Sequence, residues 1–371
     1  MKEQNEVGVL TNLLIVTAIA GLLLLNGAVI YAQQAIHQTV TTISSTVPSN
    51  GDVNPYGVFQ IPRSVGRLVR GNILVSNFNN SNNLQGTGTT LVQISPQGSF
   101  SLFAQIDPNN LPGPCTGGVG LTTALVVLRS GWVIVGSLPT TDGMADTAQA
   151  GCLLVLDSNG NVVETITDTQ INGPWDMNVL DATGPLGGPA VLFVTNVLNG
   201  TVAGGGQIVY GGTVLRINLA ISPNSPPAVR SITIIGSMFA ERTDPAALVI
   251  GPTGVALGKN AGTLYVADSL NNRVAAIANP LTRQSSDFTG STLSINGSLN
   301  DPLGLTLAVN GDILTTNGND GNLVETTPTG LQVATTLLDP AGAGVLFGLT
   351  AVSGQGVYFV DDGDNTLKLL H

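Results

Sequence analysis

The segment GTLYVADSLNNRVAAI at 262–277 reads as a strand, a polar Asn/Asp tip and a second strand, and weaker copies of it recur along the chain. The spacing, about 40–60 residues, is that of repeat architectures, in which one unit cannot bury its apolar faces alone and like units must stack or close into a ring. The first copy shows what a unit contains: NPYGVFQI (54–61), NILVSNFNN (72–80), GTTLVQI (88–94) and FSLFAQI (100–106), four strands divided by Gly, Pro and Asn turn signals. Five more units begin at GGVGLTTALVVL (117–128), NGPWDMNVL (172–180), GPTGVAL (251–257), DPLGLTLAV (301–309) and VLFGLTAV (345–352).

Six units of four short strands predict an all-β chain, a six-bladed β-propeller of four-stranded antiparallel blades over 52–371. The last unit, ending in GVYFVDDGDNTLKLL (356–370), lacks its outer strand, and an open edge there would invite fraying or aggregation. The β-branched stretch IHQTVTTI (36–43) is predicted to supply it, so that 33–51 holds a latch strand and a linker. Only 9% of residues are charged and the mean hydropathy is +0.32, the opposite of a disordered balance, so the 47 Gly and 20 Pro read as turn punctuation.

Residues 1–32 are a different object. The uncharged run VGVLTNLLIVTAIAGLLLLNGAVIYA (7–32) reads as a secretory signal ending at the small residue Ala32, or as an uncleaved anchor, since it is long enough to span a bilayer. Either reading places the propeller outside the cytoplasm, secreted, periplasmic or at the cell surface, with membrane contact only through 7–32. The two cysteines, Cys115 and Cys152, fall in one unit; an even count in an exported chain predicts a disulfide, the alternative being two buried thiols.

The net charge of −11 and the scattering of the 12 basic residues exclude a nucleic-acid partner, which needs clustered Lys and Arg. The only two histidines are His37, in the predicted latch, and His371, at the chain end. Neither position suits a His-rich zinc site or a His general base at a propeller axis.

The fourth unit, with LYVAD, the NNRV turn and the preceding GPTGVAL, resembles an NHL repeat, and the chain from about 52 to 371 resembles a six-bladed NHL-type propeller. The first unit, NPYGVFQIP with ILVSNFNNSNNLQGTGTTLVQI, is similar to a group of exported bacterial proteins of that type. The resemblance implies a broad range: lyases, lactonases, strictosidine-synthase-like enzymes, and binding or adhesive propellers. Fold alone does not choose among them.

In such a fold the turn leading into each inner strand and the turn after the second strand share one face. Candidate ligand-binding residues are therefore Tyr56, Trp175 and Phe347 on the first set of turns, with Asn77, Asn196, Asp268, Asn317 and Asp361 on the second. Asp and Asn at strand ends also cap their own turns, which is the competing reading of Asp268, Asn271 and Asn272. Trp175 and Tyr56 read equally as plugs over the core. The tip DDGDN (361–365) spaces Asp361, Asp362 and Asp364 round a Gly as a calcium loop would, without the length or closing Glu of an EF-hand. Two long inserts, SLPTTDGMADTAQA (137–150) and VLNGTVAGGGQIVYGG (197–212), lie on the same face and read as contact loops or as tolerated insertions. The expectation is a monomeric binding or interaction module for a carbohydrate, peptide or protein. The alternative is a calcium-assisted lyase or lactonase using Asp176, Asp301 and Asp268 at the channel mouth.

Overall fold

The computed structural model describes residues 38–371 except 185, 223 and 246. The expected signal or anchor, the first part of the latch segment and His37 lie outside the described residues. Among the described residues no helix is long and apolar enough to cross a membrane.

The strands pair into six antiparallel sheets. Their inner strands are Val53–Gln60, Leu121–Val127, Pro174–Asp181, Pro252–Leu257, Pro302–Leu307 and Leu346–Val352, and each packs on the next, the last returning to the first. The fold is a six-bladed β-propeller. Blade 3 carries a fifth short strand, Leu248–Ile250, on its outer strand Ser225–Asp244. In blade 6 the outer position is held by Val40–Ser45, antiparallel to Thr366–Leu370 with Val40 opposite Leu370. This strand takes up the second half of the predicted stretch, from Val40, and runs two residues past it.

Glycine sets how closely the inner strands approach. Register places Gly57, Gly254, Gly304 and Gly348 at one equivalent position, each just before a residue paired with the second strand. A Cβ on Gly304 would lie 2.0 Å from the carbonyl oxygen of Phe347, and one on Gly348 would lie 2.1 Å from that of Tyr56. Only glycine permits such contact between neighbouring backbones. The same position is Ala124 in blade 2 and Asp176 in blade 3.

Hydroxyls then pin blade to blade. Ser76 donates to the carbonyl of Thr122 (2.7 Å), Thr195 to Thr253 (2.7 Å), Thr253 and Ser269 to Pro302 (3.0 and 2.7 Å), and Thr316 to Phe347 (2.9 Å). Thr123 does the same to the carbonyl of Trp175. Ser76 and Thr316 also accept from the glycine N–H of their own inner strand, at 2.9 and 3.0 Å, so one side chain satisfies two buried backbone groups. The junction of blades 6 and 1 uses Asn365 instead, whose Oδ1 accepts from the N–H of Asn54 at 2.7 Å.

Cys115 and Cys152 form the expected disulfide, with Cα atoms 5.3 Å apart across a separation of 37 residues. It ties the loop leading into blade 2 to that blade's third strand. Replacing both cysteines by serine is expected to lower unfolding free energy by about 4 kcal/mol on the chain-entropy model, read from the denaturation midpoint. An unchanged midpoint would show that the unfolded chain is already constrained there.

A carboxylate cavity beside a plugged channel mouth

Antiparallel pairing brings both sets of turns to one face, with Pro55 opposite Asn77, Pro174 opposite Asn196, Pro252 opposite Asp268, Pro302 opposite Asn317 and Leu346 opposite Asp361. What they build there is a plug. The ring of Tyr56 stacks on Phe78 at 4.4 Å and on Phe347 at 4.0 Å between centroids, with Trp175 tilted beside it at 6.3 Å. Tyr56, Trp175 and Phe347 are 2%, 3% and 1% exposed, so their apolar area is spent on the interior.

The two inserts complete this ceiling. Leu138 and Ala148 of the first and Val197 and Leu198 of the second join the same apolar cluster as Tyr56, together with Leu248, Val249 and Ile250. Polar contacts interlock them: Thr140 donates to the carbonyl of Gln85 (2.5 Å), the Gln85 amide donates to Pro245 O (3.0 Å), and buried Glu241 accepts from the N–H of Asn199 and the hydroxyl of Thr201, both at 2.9 Å. The inserts are therefore fixed parts of the mouth on the side of blades 1–3.

The polar tips are likewise engaged inside the fold. Asn196 accepts from the N–H of Asn172 (3.0 Å) and Asn317 from that of Asn300 (3.1 Å), each holding the turn that leads into its own blade. Asn77 donates to Thr46 O at 3.0 Å and to the Thr90 hydroxyl at 3.1 Å. Asp268 is gripped by Arg273 at 2.7 and 2.9 Å and by the Asn271 amide at 3.0 Å, while Asn272 adopts the left-handed conformation that ends this turn.

At DDGDN a side chain already supplies the positive charge. The Lys368 ammonium lies 2.7 Å from Asp361, 3.0 Å from Asp364 and 3.4 Å from Asp339. Burial, with the adjacent Asp339 carboxyl, pushes Asp361 up to about 6; burial, with Asp361, pushes Asp362 up to about 7. No three metal-ligating side chains of the His, Cys, Asp and Glu types come together among the described residues. Of the expected calcium loop, Asp361 and Asp364 thus belong to an ion-pair network centred on Lys368.

On the side of blades 4–6 the plug leaves a cavity of about 260 Å³. Arg242, Asp244, Ala247 and Ile250 line one side, with Asn272, Asp301, Leu303 and Phe347 also in its walls. Arg242 and Asp244 pair at 2.9 Å. Asp301 is held from both backbone ends: its N–H donates to Asn272 Oδ1 (2.6 Å), its carbonyl accepts from Gly318 N–H (2.7 Å), and its φ is 56°. Aspartate tolerates this left-handed conformation better than most residues, but such a position still carries strain, which is found more often at functional sites. Its Oδ1 is buried with no hydrogen-bond partner. Burial, then the charge of Asp244, pushes the carboxyl up to about 6, with Arg242 pulling the other way.

The three expected carboxylates are not brought together. Asp301 faces the cavity, Asp268 is engaged by Arg273, and Asp176 lies in the channel, where it lines a separate cavity of about 60 Å³. Asp176 accepts from Val255 N–H (3.0 Å) and Met177 N–H (2.8 Å), and burial pushes it up to about 7. Asp176 is partly open to the channel void, with the inner strands of the six blades around it. Arg242, Asp244 and Glu241 were not legible from the repeats, because they sit on an outer strand outside the repeating pattern. The run ERTD (241–244), charged within an apolar and hydroxyl-rich stretch, is the signal that marks them.

Among the carboxylates of the mouth, Asp244, Asp268 and Asp361 each have an arginine or lysine partner, and Asp301 shares its cavity with the Arg242 guanidinium.

No family model matches the chain, and no curated protein matches it. Solved structures do. A gluconolactonase from Xanthomonas campestris matches with a TM-score of 0.54 at 10% identity, covering 90% of this chain and 89% of its own. Regucalcin from Agrobacterium tumefaciens, a calcium-binding protein, matches with a TM-score of 0.52 at 12% identity over 89% and 95%. Virginiamycin B lyase from Staphylococcus aureus matches with a TM-score of 0.50 at 13% identity over 90% and 99%. The likeness is one of fold. The expectation of a binding module is corrected by the tips themselves, since the residues that were to recognise a partner are consumed inside the protein.

Proposed function

We propose that the chain is an enzyme of the lactonase or lyase class, with Asp301 as general base in the cavity beside the plug. The observation that carries this reading is the Asp301 carboxyl: buried, without a partner at Oδ1, and poised near neutrality. A general base works best when its pKa lies near the working pH. In lactone hydrolysis Asp301 takes a proton from water as the oxygen attacks the carbonyl carbon, and returns it to the ring oxygen as the carbon–oxygen bond breaks. The Arg242 guanidinium, in the same cavity wall, stabilises the charge that develops on the carbonyl oxygen. In the lyase variant the same carboxylate removes a proton from carbon. The named activities of the fold neighbours support both variants. We read the repeats as NHL-type and place the protein outside the cytoplasm, a reading supported by the disulfide.

The test is a panel of aliphatic and sugar lactones followed by pH-stat. Turnover is expected to rise with pH through about 6 as Asp301 ionises. Absence of turnover across lactones and lyase substrates alike would overturn the reading.

A further inference from the structure

One wall of the Asp301 cavity is built by a hairpin that, among the described residues, only blade 3 carries. Its outer strand runs to Asp244, turns, and pairs again through Leu248–Ile250, with Arg242 opposite Ile250 and Asp244 opposite Leu248. The hairpin gives the cavity two characters. Arg242 and Asp244 stand on its first arm, while Ala247 and Ile250 on the return join Leu270, Leu303 and Phe347, drawn from blades 4, 5 and 6, in lining the same space with hydrocarbon. At about 260 Å³ the space falls just below the range of sites for drug-sized ligands, about 300–1,000 Å³, so its occupant is small.

Most polar groups of the wall are committed to the protein itself. Ser269 donates to Pro302 O at 2.7 Å, Asn272 Oδ1 accepts from Asp301 N–H at 2.6 Å, and the Asn319 amide donates to Asn300 at 3.4 Å. Asp244 takes the Arg242 guanidinium at 2.9 Å and Ala247 N–H at 3.2 Å. Two groups keep capacity for a ligand. One is Asp301 Oδ1, buried without a partner, and the other is Arg242, a fork of five N–H donors with bonds to Asp244 and, at 3.3 Å, to Thr243 O. Together they suffice for one ester carbonyl and the water that attacks it. A ring of hydroxyls would be buried here without partners, which opposes binding, whereas a hydrocarbon chain gains with every methylene taken out of water.

We propose that the substrate is a small lactone bearing one uncharged alkyl chain and no ring hydroxyls, its carbonyl beside Asp301 and Arg242 and its chain against Ala247, Ile250, Leu270, Leu303 and Phe347. This rests on the Asp301 reading and gives it a substrate class. One water is consumed: its oxygen bonds to the carbonyl carbon, the ring carbon–oxygen bond breaks, and a hydroxy acid carrying the same chain leaves.

The experiment uses the purified full chain with γ-butyrolactone, γ-hexalactone, γ-octalactone, γ-decalactone and glucono-δ-lactone, each rate being divided by that of uncatalysed hydrolysis. Among the alkyl lactones kcat/KM is expected to rise about fourfold per methylene and to level off once the cavity is full. Glucono-δ-lactone is expected to fall at least about tenfold below γ-octalactone. Calorimetric titration with pyrrolidinone and its butyl derivative, lactams that do not turn over, reads binding apart from chemistry, and the butyl form should bind more tightly by the same factor per methylene. Ala343→Leu, at an exposed position of the wall, is expected to move the levelling to shorter chains with Tm unchanged, and Ile250→Ala to move it to longer ones at some loss of Tm. Equal turnover of glucono-δ-lactone, no dependence on chain length, or no shift in either variant overturns the substrate class and leaves the Asp301 reading standing. No turnover, with lactam binding that grows with the chain, removes the Asp301 chemistry and keeps the ligand class. Neither turnover nor lactam binding overturns both.

Discussion

Replacing Asp301 by Asn is expected to reduce kcat/KM by about 10²–10⁴-fold, the usual contribution of a positioned general base. The change is close in shape, and the two backbone bonds that hold this residue, to Asn272 and from Gly318, do not involve its side chain. The fold should therefore survive, and Tm should move little. Asparagine also tolerates the left-handed φ of 56° that this position requires. The pH profile separates a catalytic part from a structural one: the wild-type rise through about 6 should vanish in the variant instead of merely scaling down. Equal rates for both proteins, or a retained inflection near 6, would remove Asp301 from the chemistry.

Stability is expected to fall as pH rises from about 4.3 to 7. Glu241 is fully buried, and burial, partly offset by Thr201 and the Asn199 N–H, pushes its carboxyl up to about 7. An unfolded glutamate titrates near 4.3. Below both values each state holds the proton, and the contribution of Glu241 is fully present. Between them the unfolded chain releases a proton that the folded chain retains, so unfolding gains with pH; above about 7 the loss is complete. The linked change is about 4 kcal/mol for this group alone. Asp362, also raised by burial, acts in the same direction. Carboxyls with lowered values, such as Asp157, act in the opposite direction, and do so below about 4. Guanidine unfolding at pH 5 and pH 8 measures the slope. Glu241→Gln should flatten it by about the same 4 kcal/mol, and an unchanged slope would place the titration elsewhere.

The blades were legible because their signal is local and repeated. The alternation of apolar strand and Gly, Pro or Asn turn marked all six inner strands, and the cysteine count marked the disulfide. The site was legible only as a face. Asp301 could be picked out since it stands at a turn leading into an inner strand, but so do Trp175 and Phe347, and the difference between a plug and a ligand platform lies in what covers them. The covering comes from Leu138, Val197 and Leu248, residues far apart in the chain and outside the repeat. The pairing of Lys368 with three aspartates was hidden for a related reason: DDGDN carries the spacing of an ion loop, while the competing cation lies on the neighbouring strand.

The mouth is built unevenly, with long interlocked loops over blades 1–3 and short turns round the cavity over blades 4–6. That asymmetry divides the evolutionary freedom of the chain. Changes in the long loops disturb the ceiling of the core and are filtered by folding. Changes in the short turns at Asn272, Asn319 or Ala343 alter the cavity wall while leaving the plug in place. One half of the ring thus conserves the scaffold, and the other half is where a new specificity can arise without loss of the fold.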